Sequence, residues 1–258
     1  MNKNIPRVEF KVAKLNEIFP AIHKFLNPEQ SNWIWDWSDR IYKEYPWIKN
    51  KLQNVKDRRI RKDMEYSFFK NIIENDKNGF ENRSKLFQKK WNRVNDSIMN
   101  ALSDVLEIKW SKTDKKFVAR VSLNPICPRD IHKRNFDIFY KKGTHEMIGT
   151  SIHEIHHFIY FEKWKEVFPG ANEKEFDYPH LVWKLSEMVP KIILNDQRVQ
   201  KAFKYQFGSY KIYEEAKIDG KPLLSYLQDF YDNRKDFSDF LRKSWKFVNK
   251  RRREINKL

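Results

Sequence analysis

The stretch EMIGTSIHEIHHFIYF, residues 146–161, decides how the chain is read. On a helix at ~100° per residue, Ile148, Ile152, Ile155 and Ile159 fall within about 60° of one another and form one apolar stripe. His153 and His157, four positions apart, share a second face. That face is not an ordinary solvated one, because Met147, Phe158, Tyr160 and Phe161 flank it. The helix is therefore expected to run through the interior. Two histidines and Glu154 on such a helix need partners, since an uncompensated buried polar group costs on the order of 1–3 kcal/mol and a bare charge more.

A metal ion is the economical partner. Side chains at i and i+4 project together, so two imidazole nitrogens can meet one ion at about 2.0–2.1 Å. The residue after the first histidine points to one side of that pair, where a carboxylate reaches a water on the ion without ligating the ion itself. Residues 153–157 have this order, H-E-x-x-H. The competing reading is a core helix on which the same residues fall by chance. His145 begins a second H-E pair, HEMIG, that lacks its second histidine, and His156 sits on the flank between the two faces. Both are expected to be solvated or hydrogen-bonded histidines.

The chain has 258 residues, 40% of them apolar and 16% aromatic, which suffices for a real core in one large or two small domains. Lys and Arg number 52 against 35 Asp and Glu, a formal charge of +17, so the surface must be mostly basic. Nucleic acid, an acidic membrane surface and acidic protein are the partner classes this favours. Lys, Asn and Ile are abundant together, as in AT-rich coding sequences, so charge alone names none of them. The single cysteine, Cys127, excludes an internal disulfide and fits a reducing compartment. The start, MNKNIPRVEFKVAKLNEIF, carries charges throughout and reads as neither a secretion signal nor a membrane anchor. A soluble, cytoplasmic protein is the expectation.

Two regions are expected, a helical one over residues 1–112 and a second over 113–258. Within residues 29–110 only Pro46 and Gly79 punctuate the chain, which favours helices; VEFKVAKLNEIFPAIHKFL is read with them. Trp33, Trp35, Trp37 and Trp47 form an aromatic group, read as core filling over a stacking platform. KFVARVSL and NFDIFY, separated by NPICPRD, read as a small sheet. Helices are expected again over roughly 144–168, 179–203, 209–217, 222–231 and 236–256. NKRRREINKL at the end is read as a solvated helix terminus. The fold class is α+β, mostly helical.

This context resembles the zincin metallopeptidases, and among them the gluzincins, above all their smallest members. The resemblance covers about residues 116–200. It implies a small sheet, a zinc helix and a glutamate helix, with NFDIFYKKG in the place of the edge strand that binds the substrate backbone. It also implies a third ligand from a later helix. HLVWKLSEMVPKIILND offers Glu187, 30 positions after His157, with His180 in reserve. The family's supporting Asp four residues after the ligand is Lys191 here, and the competing role for Glu187 is an i, i+4 pair with that lysine. Glu166, Glu173, Glu175 and Asp177, near the end of the zinc helix, are weaker candidates. The spacing is also similar to that of ImmA/IrrE-type regulatory peptidases, without their alanine-rich second motif. Cys127 as an inhibitory thiolate is the less favoured reading against simple burial.

The resemblance implies a zinc-dependent metallopeptidase acting on a peptide or protein, with one Zn2+ per chain held by His153, His157 and Glu187. Zinc would activate water and polarise the scissile carbonyl, and Glu154 would be the general base. An oxyanion donor is expected from YQFGSYKIYEE, where Tyr205, Tyr210 and Tyr213 stand open as alternatives. The rivals are a basic helical module that binds nucleic acid or protein, and a regulatory or inactive zincin.

Overall fold

The computed structural model describes residues 5–30, 36–110 and 116–258. It is mostly helical with a small mixed sheet, so the α+β class holds. The chain runs β1 (Arg7–Val12), α1 (Leu15–Leu26), α2 (Ser38–Glu44), α3 (Pro46–Leu52), α4 (Arg58–Asn75), α5 (Lys77–Asn92), α6 (Asn95–Leu106), β2 (Lys116–Ser122), β3 (Arg129–Asp130) and β4 (Asn135–Phe139). It continues through α7 (Thr144–Val167), α8 (Leu181–Met188), α9 (Pro190–Ile193), α10 (Gln197–Ala202), α11 (Lys211–Glu215), β5 (Lys217–Ile218), β6 (Lys221–Pro222), α12 (Leu223–Asp232), α13 (Phe237–Lys250) and α14 (Arg252–Ile255). These elements fall into two compact units that interleave along the chain. A sheet unit comprises Arg7–Arg93 and Lys116–Ser151; a helical unit comprises Met1–Pro6, Val94–Lys115 and Ile152–Leu258.

In the sheet unit the strand order is β1-β2-β4-β3, with β1, β2 and β4 parallel and β3 antiparallel to β4. β1 corrects the helical reading of VEFKV. Its residues alternate, Val8 and Phe10 buried and Glu9 and Lys11 exposed, which is the period of a half-buried strand. Phe10 packs edge-on against Phe87 of α5 at 6.2 Å. On β2 and β4, which the sequence anticipated, Phe117, Ala119, Val121, Phe136 and Ile138 are fully buried.

Both edges of the parallel strands are occupied. At β1, the Phe10 N–H donates to Gln88 Oε1 (2.8 Å), Gln88 Nε2 donates to the Val8 carbonyl (2.9 Å), and Ser84 Oγ donates to the Phe10 carbonyl (3.0 Å). At β4, Asn135 and Phe136 pair with β3, and the Asp137 N–H donates to the Pro128 carbonyl at 2.8 Å. The Phe139 N–H donates to Cys127 Sγ at 3.3 Å. NFDIFYKKG is therefore not an open edge. The two prolines and Cys127 of NPICPRD fold back along it, and Cys127 is a buried part of that cover.

The helices of this unit share a buried polar network. Glu65 of α4, fully buried, receives His23 Nδ1 (2.5 Å) and Asn27 Nδ2 (3.1 Å) from the α1 end, and pairs with Arg61 Nε (3.2 Å). Of the two tryptophans of this group among the described residues, Trp37 is buried beneath Arg40 and fills core, whereas Trp47 is 42% exposed against Phe68. Trp33 and Trp35 lie outside the described residues.

In the helical unit the single helix expected over 179–203 is three. Pro190, which has no N–H, ends α8 and opens α9, and the Asp196 side chain caps α10 by accepting from the Arg198 N–H. The expected segments over 209–217, 222–231 and 236–256 appear as α11, α12 and the pair α13–α14. Between them β5 and β6 form a hairpin turned by Asp219 and Gly220, both at positive φ. No helix among the described residues is long and apolar enough to cross a membrane.

Replacing Gln88 with Leu leaves the Phe10 N–H and Val8 carbonyl without their partner. We expect a loss of about 1–3 kcal/mol, measured as a lower urea midpoint at unchanged slope. An unchanged midpoint would show that this edge is held some other way.

Candidate metal centre

α7 is buried as its pattern predicts. Ile152, Ile155 and Ile159 are at 0% exposure, and Met147, Phe158, Tyr160 and Phe161 are buried on the remaining faces. His145 is exposed on the first turn. His156 is fully buried, with its ring 5.2 Å from that of His157 and 5.6 Å from that of Tyr160, so it is not solvated. Glu154 is 7% exposed.

α8 brings the third group. All eight of its residues are buried, Glu187 among them. His153 Nε2 and His157 Nε2 lie 3.1 Å apart, and Glu187 Oε2 is 3.8 Å from the first and 3.6 Å from the second. These three distances define a triangle whose centre is about 2.0 Å from each atom, the distance at which zinc holds imidazole nitrogen and carboxylate oxygen. The group is the one metal-capable His/Cys/Asp/Glu cluster found among the described residues. The His153 side chain retains 27% exposure, against 0% for His157 and 1% for Glu187, so solvent reaches the cluster from the His153 side.

The other candidates separate cleanly. His180 is exposed at the N-cap of α8, two turns from Glu187, and is no ligand. Lys191 does not pair with Glu187; it bonds Glu214 of α11 at 2.9 Å. Glu166 pairs with Lys163 (3.1 Å) and Glu173 with Lys165 (2.9 Å), while Glu175 and Asp177 lie in or beside a short 3-10 turn. None of these four belongs to the cluster.

Several polar contacts hold α8 and the chain beyond it. Lys184 Nζ donates to the Ile255 and Asn256 carbonyls, both at 3.1 Å, at the end of α14; burial lowers its pKa below the ordinary lysine value. Asn195 bonds the Phe207 backbone in both directions, and Gln200 does the same for Tyr205. Ser209 Oγ then donates to the Glu187 carbonyl at 3.0 Å, tying the start of α11 to the backbone of that glutamate. None of these ties was legible as a motif.

The tyrosines differ accordingly. Tyr213 is fully buried, and burial, then the Glu187 charge, then Tyr210 and Tyr178, hold its phenol well above the ordinary range. Tyr210, with its ring 6.0 Å from that of Tyr213, is half-buried. Tyr205 is packed against Phe203 and Phe207. No protein-family model, curated protein or solved structure matches this chain.

Proposed function

We propose that the chain is a zinc-dependent metallopeptidase whose centre is His153, His157 and Glu187. One observation carries the reading: three ligand atoms from two helices share a centre about 2.0 Å away, beside a Glu154 that follows the first histidine. Zinc bound there supplies a Lewis acid that polarises a carbonyl and makes water acidic enough to deprotonate near neutral pH. Glu154 takes the proton from the attacking water and delivers it to the leaving amine, so the peptide bond is exchanged for a carboxylate and an amine. Being buried, Glu154 does this in a medium where charge is weakly screened. Tyr210 is our choice for the oxyanion donor, because a half-buried phenol is open to substrate where the buried Tyr213 is not. Tyr213, its ring 6.0 Å from that of Tyr210, is the buried neighbour.

The covered β4 edge favours a second reading: the same centre holding metal in a regulatory or inactive zincin. An extended peptide has no free strand to join at β4. Metal content does not separate the two readings, but hydrolysis does.

Protein purified without chelator should contain close to one zinc per chain by elemental analysis. His157→Ala should lose most of it, and Glu187→Gln should bind it roughly tenfold or more weakly. Full zinc in both variants would remove the centre. Against a substrate found by peptide-library cleavage, Glu154→Gln should retain zinc and fold while kcat falls by about two to four orders of magnitude. Comparable turnover in that variant, or no cleavage by the zinc-loaded wild type of any library member, would refute the peptidase reading. Tyr210→Phe should lower kcat by about a hundredfold or more with little change in KM, whereas Tyr213→Phe should act mainly on thermal stability. The reverse pattern would exchange their roles.

A further inference from the structure

Residues 234–258 carry ten Lys and Arg against three acidic residues. The structure sorts these charges into two sets. One set of cations is neutralised within the helical unit: Arg234 pairs with Asp196, Lys243 with Asp239, and Arg251 with both Asp219 and Glu254. Arg252 donates to Asn249 Oδ1 at 2.8 Å. Arg242, Lys246 and Lys250, on the face of α13 that also carries the Lys243–Asp239 pair, are exposed at intervals of four, and none of the three is joined to a carboxylate among the described residues. Their Cα atoms rise about 6 Å from one to the next and share one face. Exposed Arg253 and Lys257 follow beyond the joint with α14. The nearest acids in sequence, Asp239 and Glu254, are already taken by Lys243 and Arg251.

A row of like charges repels itself, and a partner that supplies negative charge at similar intervals relieves that repulsion. We propose that this outward face of α13, from Arg242 through Lys246 to Lys250 and on to Arg253 and Lys257, docks the phosphate backbone of duplex nucleic acid. The spacing is that of neighbouring phosphates, and Arg and Lys are the side chains that contact them. A bilayer is a poorer fit. An interfacial helix needs an apolar face to sink among the lipids, and the apolar residues of α13, Phe237, Phe240, Leu241 and Val248, are buried in the protein. Single-stranded nucleic acid is also a poorer fit, since it is gripped by stacking on open aromatic rings. Trp245 and Phe247 are engaged with Trp164 (5.3 Å) and Tyr226 (4.7 Å). The inference does not depend on the metal centre.

Fluorescence anisotropy with a labelled mixed-sequence DNA duplex tests it on the full chain. The wild type should bind, with log K falling linearly in log salt between about 50 and 200 mM KCl. Arg242→Gln, Lys246→Gln and Lys250→Gln combined should weaken binding tenfold or more and reduce the salt slope by about 2 to 3, one phosphate contact per charge removed. The control is Arg58→Gln, Arg59→Gln and Lys62→Gln on α4, also exposed and the same change in net charge, which should leave affinity within about twofold. Circular dichroism checks that both fold; should the triple variant not, Lys246→Gln alone should remove about one unit of slope. The proposal is overturned if the wild type does not bind the duplex, or if the α4 control loses as much. Tighter binding to a single strand of the same sequence overturns it too, as does equal binding to phosphatidylserine vesicles with the same loss in the α13 variant.

Discussion

A carboxylate and two imidazoles lie within 3.8 Å of one another in the interior, and the rest of the helical unit is arranged around that fact. With the carboxyl ionised and both imidazoles neutral the group would carry one negative charge, and burying such a charge without compensation costs several kcal/mol. Two partners can meet the cost. A proton shared among the nitrogens would neutralise the group, and a divalent cation would over-neutralise it. What bears on the choice is scale: the circle through the three side-chain atoms has a radius of about 2.0 Å, which is a metal–ligand distance.

Holding three atoms in that relation needs rigidity on both helices. α7 has it through burial on every face, its apolar stripe leaving little freedom to roll. α8 is only two turns long, too short to be stable by propensity, and is held by what surrounds it. Lys184 ties it to the end of α14, and Ser209 bonds the carbonyl of Glu187 itself. Pro190 ends the helix three residues after Glu187, and the freed chain returns through Asn195 and Gln200 to place Tyr210 and Tyr213 beside it. A Pro that looks like a defect in a helix is here the means of bringing a second stretch of chain back to Glu187.

What could be read from sequence was what is local. The approach of His153 to His157 was legible because a helix makes neighbours of i and i+4. The burial of α7 followed from composition around its circumference. Glu187 was reachable only through the resemblance, since nothing in the 29 intervening residues dictates which carboxylate returns to the histidines. β1 was missed although VEFKV alternates correctly: five residues next to an amphipathic helix are a weak signal, and the parallel partner of Arg7 is Lys116, far along the chain. The covered edges were beyond sequence altogether, because Gln88 and Ser84 act as strand partners through side chains on a helix. The turn at Asp219–Gly220 was present as an Asp-Gly pair and went unread.

Charge shows the same division between local and non-local. The total of +17 gave no partner, because a count does not separate neutralised charges from those left facing water. Arg251 is adjacent in sequence to Lys250, yet it is held by Asp219, 32 positions away, while Lys250 has no carboxylate partner among the described residues. Tertiary pairing subtracts charge residue by residue, and what remains on α13 is ordered at the helical repeat. The segment from Arg234 to the end of α14 thus holds two sets of cations: one closed by ion pairs, among them Arg251 with Asp219 of the hairpin, and one facing water without a carboxylate partner among the described residues. Only the second retains the electrostatic free energy that a polyanion would release on binding.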